Sequence, residues 1–115
     1  MTCTTITLPA WNIYEGQTSP ALGIVWPVGD DYLDATDYAT WLVECARVGS
    51  TVKLWETAAV VPAAGSATVP SLVVTWAAAD LGSLGRGDYV IEFTGTTAGA
   101  VIKQQLALRV LPQIA

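Results

Sequence analysis

Residues 87–94 read GDYVIEFT, and the alternation in this stretch decides the fold class. Tyr89, Ile91 and Phe93 share one face of an extended chain, while the charged side chain of Glu92 points the opposite way. An apolar and polar alternation of period two is typical of a strand with one buried face. We therefore predict a strand here, with these three side chains on one face, as part of an all-β domain.

The same alternation recurs along the chain and predicts further strands. A run over residues 40–48 is fairly apolar on both faces, so we predict that this strand is central in its sheet. A run over residues 51–56 places Trp55 on the face opposite Val52 and Leu54. Side chains that we predict to face inward in the other runs are Leu22, Ile24 and Trp26; Trp41, Val43 and Cys45; Leu72, Val74 and Trp76; and Ile102, Leu106, Leu108 and Val110.

Turn signals separate these runs and indicate the architecture. Segments rich in Gly, Pro, Asp and Ser recur at intervals of about ten residues, which is the spacing of a small sandwich or barrel. We predict one antiparallel β-sandwich domain over residues 1–115. Residues 1–14 are left open, either as part of the sandwich or as an N-terminal arm.

The composition indicates a surface that a partner covers. Hydrophobic residues make up 52% of the 115 residues, and charged residues make up only 13%, whereas ordinary soluble domains carry about 25% charged residues. A domain of this size cannot bury so much apolar material, and large exposed apolar patches usually mark contact surfaces. The alternative is a monomer whose surface is rich in Thr, Ala and Ser.

The net charge of −5 argues against two classes of partner. The five cationic residues are scattered and form no basic patch, so we expect neither nucleic-acid binding nor binding to an anionic membrane surface. No apolar run is long enough to be a transmembrane helix. Residues 1–11 contain no basic region followed by an apolar run, so we expect no secretory signal and synthesis in a cytoplasm.

The residue inventory disfavours catalysis. The chain has no His, which removes the commonest general base, metal ligand and pH switch. It also lacks the nucleophile-elbow, P-loop and dinucleotide-binding glycine motifs. Cys3 and Cys45 are too few for a disulfide scaffold, and we predict that both are small buried apolar residues. We therefore predict a protein that is not an enzyme, with no catalytic residues, cofactor or metal.

One acidic segment allows a functional alternative. Asp30, Asp31, Asp34 and Asp37 could supply the carboxylate oxygens that Ca²⁺ prefers. Their spacing matches no EF-hand loop, and Asp is common in turns, so we favour a solvated loop. A carboxylate pair for glycoside hydrolysis would also need a cleft, for which a sandwich of this length has little material.

The aromatic residues divide into core and surface candidates. Trp26, Trp41 and Trp76 fit inward positions of alternating strands. Aromatic residues in loop-like or outward positions often anchor protein interfaces. The candidate interface residues of this kind are Trp11, Tyr14, Tyr32, Tyr38 and Trp55. The alternative, since sugars stack on aromatic faces, is that the exposed Trp residues bind carbohydrate and that the chain is a sugar-binding sandwich for adhesion to host surfaces.

Gly87, Asp88 and Tyr89 stand at the start of a predicted strand near the C-terminus. In immunoglobulin-like sandwiches a Tyr at such a position can form a corner, in which its hydroxyl bonds back to upstream backbone. We predict this structural role for Tyr89.

Several segments, taken in order, resemble the small immunoglobulin-like sandwiches of tailed-phage virions. The closest likeness is to the N-terminal domain of phage upper-baseplate proteins, which attach receptor-binding proteins, and it covers about residues 15–111. The segments that carry it are Glu15-Gly16-Gln17-Thr18, Gly29-Asp30, Asp34-Ala35-Thr36, Val73-Val74-Thr75-Trp76 with Asp80, and residues 87–93.

The resemblance implies an immunoglobulin-like sandwich of about seven strands. It also implies a structural protein located in a virion and made in the host cytoplasm, whether as a capsid decoration or as a neck, tail or baseplate accessory. Its expected partners are other virion proteins, with further copies of itself in the assembly.

Overall fold

The computed structural model describes residues 3–7, 10–16, 21–58, 60–76, 81–82 and 84–112, and for residues 3–7 and Ala21 it describes the backbone alone. Strands dominate these ranges, together with one 3-10 turn over Ala35–Asp37. The strands are β1 Cys3–Thr7, β2 Ala10–Tyr14, β3 Ala21–Val25, β4 Pro27–Val28, β5 Asp31–Tyr32, β6 Thr40–Arg47, β7 Lys53–Thr57, β8 Val60–Pro62, β9 Leu72–Val74, β10 Gly87–Thr97 and β11 Ala100–Leu111.

The strands form two main sheets and one small hairpin. The first sheet has the order β1-β3-β9-β8, and the second has the order β2-β11-β10-β6-β7. The hairpin consists of β4 and β5. The sequence left open whether residues 1–14 belong to the sandwich or form an arm. Within this segment, residues 3–7 and 10–14 form β1 and β2, the first strands in the order of the two main sheets.

Two strand pairs are parallel, so the prediction of a wholly antiparallel sandwich is wrong at those places. β1 runs parallel to β3, and β2 runs parallel to β11. The remaining described pairs are antiparallel. Tight hairpins connect only antiparallel neighbours. β1 and β2 pair with strands to which no hairpin connects them, so their direction is free of that constraint.

The core lies between the two sheets and contains one face of the main alternating strands. Tyr89, Ile91 and Phe93 in β10 are at most 1% exposed. Trp26, Trp41 and Trp76 are also buried, as predicted. So is Cys45 in β6, whereas the side chain of Cys3 lies outside the described residues. The prediction of a central strand over residues 40–48 is confirmed, because β6 pairs with β10 on one side and with β7 on the other.

The strand count exceeds the predicted number of about seven. The predicted alternating runs correspond to β3, β6, β7, β9, β10 and β11. The additional strands β1, β2, β4, β5 and β8 contain two to five residues each. Runs this short give little periodicity to detect.

The tyrosine corner is confirmed. The hydroxyl of Tyr89 donates a hydrogen bond to the carbonyl oxygen of Gly85 at 2.8 Å. The guanidinium of Arg47 lies 5.1 Å from the centre of the same ring, which is within the range of a cation–π contact. Tyr89 therefore fixes the chain that enters β10 and links that entry to β6.

We expect Tyr89→Phe to lower the free energy of unfolding by about 1 kcal/mol, because the ring still fills the core while the carbonyl of Gly85 loses its donor. Urea denaturation followed by Trp fluorescence measures the change. Stability equal to that of the wild type would contradict a role for the hydroxyl in holding the corner.

Candidate interaction surface

Trp11 does not lie on the surface, so its predicted outward position is wrong. It is only 6% exposed, and its ring stacks on Trp76 with the centroids 6.0 Å apart. In the register between β2 and β11, Trp11 lies beside Leu108, whose side chain faces the core. Parallel pairing with β11 therefore turns Trp11 inward, and it offers no exposed ring face on which a sugar could stack.

Trp55 and Tyr38 are half-buried and pack against the core. The ring of Trp55 meets Trp76 at 75° with the centroids 5.4 Å apart. The ring of Tyr38 meets Trp41 at 68° and 5.5 Å. The predicted outward position of Trp55 is therefore wrong, and both rings contribute to the packing of the sandwich.

The other two aromatic candidates lie apart from each other. Tyr14, at the end of β2, is 55% exposed. Tyr32, in the hairpin strand β5, is half-buried. The five predicted residues thus occupy separate surroundings and do not form one aromatic patch.

Three exposed apolar side chains lie on or beside the outermost strands of the two main sheets, while others, such as Val28, Val48, Val69 and Val101, lie elsewhere on the described surface. Val52, Leu54 and Val61 are 70%, 46% and 63% exposed. Leu54 and Val61 belong to β7 and β8, the last strands of the two main sheets, and Val52 directly precedes β7. We call these three residues the apolar edge. None of these three residues is among the interface candidates predicted from the sequence, which are all aromatic.

A β-bulge explains why the faces of β7 differ from the prediction. Cys45 pairs with Trp55 and Ala46 pairs with Lys53, so Leu54 is an extra residue that has no counterpart on β6. A bulge of this kind shifts the alternation by one position. Trp55 consequently faces the core with Cys45, and Leu54 remains exposed.

The same bulge brings two opposite charges to one face. Lys53 Nζ lies 2.8 Å from Glu56 Oε1 and 3.2 Å from Glu44 Oε2. The hydrogen bonds that Lys53 donates to Glu56 and, with a smaller effect, to Glu44 hold the pKa of Lys53 above its usual value. The ammonium group is therefore charged at all ordinary pH values.

Three glutamates form a row across the outer face of the five-stranded sheet. Glu44 lies directly opposite Glu56 on β7 and opposite Glu92 on β10. Like charges in such positions destabilise a sheet, and lysines compensate for them. Lys53 lies between the first two carboxylates, and Lys103 Nζ lies 3.4 Å from Glu92 Oε1.

A shallow groove of about 450 Å³ lies beside this row. Its lining includes Glu44, Glu92 and Lys53, together with the turn that joins β6 to β7. Each of the two carboxylates is engaged by a lysine. The chemistry of the groove is thus that of neutralised ion pairs on a sheet surface.

The acidic segment forms a well-anchored loop. Asp34 caps the 3-10 turn, because its Oδ1 accepts hydrogen bonds from the backbone N–H and the hydroxyl of Thr36. The backbone N–H of Ala35 donates to the carbonyl of Ala63 at 3.0 Å, and Trp41 Nε1 donates to the carbonyl of Ala35 at 3.0 Å. Within the described ranges, no group of three acidic or cysteine side chains converges as a metal site would require.

The chain matches no protein-family model, no curated protein and no solved structure. Of the parts of the chain that are described, none is a helix with the length and apolar character needed to cross a bilayer. What the chain does is therefore inferred from its own geometry and from the resemblance of its sequence segments.

Proposed function

We propose that the chain is a non-enzymatic structural subunit of a tailed-phage particle and that it buries the apolar edge against other subunits. The observation that carries this proposal is the exposure of Leu54 and Val61 on the terminal strands of the two main sheets and of Val52 directly before β7. Burying the exposed part of each side chain gives roughly 1–2 kcal/mol. Together, three such side chains on or beside the outermost strands would stabilise a contact with a neighbouring subunit.

The strand order supports an immunoglobulin-like assignment within this proposal. Immunoglobulin-like sandwiches have one sheet of strands A, B, E and D and another of C, F and G, to which variable-type domains add C′. The orders β1-β3-β9-β8 and β2-β11-β10-β6-β7 follow that pattern if β1 and β2 are two halves of strand A. Tyr89 then lies at the start of strand F, where the tyrosine corner belongs. The parallel pairing of β1 with β3 departs from the pattern.

The form of the molecule suits a passive role. A rigid core positions the apolar edge, and ion pairs neutralise the carboxylate row on the neighbouring sheet face. Terminal strands that are left open invite unwanted pairing, so proteins commonly cover them. A neighbouring subunit on β7 and β8 would supply that cover.

Particle incorporation tests the proposal. Particles are purified by density gradient from a lysate of the strain that carries the gene, and the chain is quantified in them by mass spectrometry against a heavy-isotope standard. We expect a fixed number of copies per particle. We expect the triple variant Val52→Lys, Leu54→Lys and Val61→Lys to be incorporated at least about tenfold less, since each 1.4 kcal/mol of lost contact energy is tenfold in affinity.

The matched control is Val101→Lys, because Val101 is 62% exposed but lies on β11, away from the apolar edge. This variant should be incorporated like the wild type. Two results would overturn the proposal: a chain that stays in the soluble fraction, or equal incorporation of the triple variant.

A further inference from the structure

β7 carries a charge pattern that is complementary to itself. It is the terminal strand of the five-stranded sheet, and the bulge at Leu54 places Lys53 and Glu56 on the same outer face. One charge stands near each end of a five-residue strand. Rotation by 180° about an axis between Leu54 and Trp55 therefore exchanges the position of Lys53 with that of Glu56.

We propose that β7 pairs antiparallel with β7 of a second copy of this chain about a two-fold axis normal to the sheet. This proposal rests on the assembly role given above and names the partner at that edge. The axis passes near Leu54 and Trp55, so that Lys53 of each copy lies opposite Glu56 of the other. Opposite charges in directly facing positions stabilise a strand pair. The two five-stranded sheets then continue across the dimer as one.

The ammonium group of Lys53 has the capacity for this contact. It carries three donors, and its bonds within the chain go to Glu44 and Glu56. Each Lys53 in the dimer faces carboxylates of both copies, and each Glu56 faces two ammonium groups. The four charges form a closed, alternating set at the centre of the interface.

The apolar part of the edge is buried in the same arrangement. Val52 and Leu54 flank Lys53 along the chain and are 70% and 46% exposed in the single copy. In the register that pairs Lys53 with Glu56, Leu54 lies across from Trp55 of the second copy and Val52 lies across from its Thr57. Pairing in this register therefore covers part of the exposed surface of both apolar side chains.

A closed pair also agrees with the features that limit further growth. A bulge, an edge lysine and a proline are devices by which sheets discourage pairing with other chains at their edges. The bulge and Lys53 therefore disfavour long, open-ended pairing along β7, and Pro62 does the same in β8, the last strand of the other main sheet. A two-fold contact uses the same patch on both copies and then closes.

Charge reversal tests the pairing directly. Analytical ultracentrifugation of the intact chain over a concentration series should show a reversible dimer. Lys53→Glu places four carboxylates at the centre of its own dimer, and Glu56→Lys places four ammonium groups there. We expect each of these variants to dimerise at least about tenfold more weakly than the wild type. An equimolar mixture of the two should recover dimerisation as a heterodimer, because opposite charges then face each other.

Two controls accompany the mixture. The double variant Lys53→Glu with Glu56→Lys should dimerise like the wild type, and Val101→Lys should leave the dimer unchanged. Circular dichroism confirms that every variant is folded. A chain that stays monomeric at millimolar concentration, or single variants that dimerise normally, would overturn the proposal.

The result is separable from the particle test. A monomeric chain that still enters particles through the apolar edge overturns the dimer and leaves the structural role standing, with another subunit as the occupant of β7. A chain that dimerises through β7 but is absent from particles supports the dimer and removes the proposed function.

Discussion

Phe93→Ala should lower the free energy of unfolding by about 3–5 kcal/mol, the usual range for truncation of a buried Phe. Phe93 is fully buried in the middle of β10. It faces Val43 across the sheet, and its ring centroid lies 6.4 Å from that of Trp26 on the side of the other sheet. Both sheets thus pack on this one ring, and its removal leaves a cavity that neither can easily fill.

Urea denaturation followed by Trp fluorescence gives the change in free energy. Phe93→Leu retains most of the side-chain volume, and we expect it to lower the free energy of unfolding by about 1–2 kcal/mol. It provides a measurable variant if Phe93→Ala fails to fold. Val101→Ala provides an exposed control that should change stability by less than about 0.5 kcal/mol. A loss below about 1 kcal/mol for Phe93→Ala would mean that the ring does not join the two sheets.

The sequence predicted the buried faces well because alternation reports burial directly. In β10 every second residue from Tyr89 to Phe93 is buried, and the same holds in β6 and over residues 106–110 of β11. These strands are long enough for a period of two to be unambiguous. The alternate positions carry charged residues such as Glu92, so only the apolar face of these strands can be buried without cost.

Pairing between distant segments could not be predicted in the same way. Trp11 and Ile13 alternate over a strand of only five residues, and the partner of that strand is β11, at the other end of the chain. No feature of the sequence around β2 indicates which strand it pairs with, or whether that pairing is parallel or antiparallel. The bulge at Leu54 is equally invisible in the sequence, because it arises from the register between β6 and β7.

The composition predicted that apolar side chains would be exposed, but it did not predict which residues they are. Composition indicated exposed apolar area, and the structure has it in Val52, Leu54 and Val61. The predicted residues were aromatic because Trp and Tyr dominate interface energies. In this domain two of those rings, Trp11 and Trp55, pack on Trp76 instead. Which strands end the sheets is a property of the whole topology, and so the edge could be recognised only in three dimensions.

Gly65→Ala should lower the free energy of unfolding by about 2–5 kcal/mol for two additive reasons. Gly65 has a φ of +76°, a conformation that costs an L residue about 1–2 kcal/mol. A Cβ at this position would also collide with Ser71 Oγ and lie 2.5 Å from the carbonyl oxygen of Leu33. These two atoms are joined by a hydrogen bond of 2.6 Å, so the methyl group must separate them or move the backbone, at a cost of about 1–3 kcal/mol.

Gly29→Ala separates the two causes. Gly29 has a φ of +60°, yet a Cβ there would meet nothing within 4 Å, so this variant should lose only the conformational part, about 1–2 kcal/mol. Urea denaturation compares the two variants, and hydrogen exchange at residues 31–36 reports whether the acidic loop loosens when the bond from Ser71 to Leu33 is broken. Equal losses of unfolding free energy for the two variants would mean that the structure accommodates the methyl group at Gly65 at no cost. That result would contradict the rigid anchoring of the acidic segment by the hydrogen bond between Ser71 and Leu33.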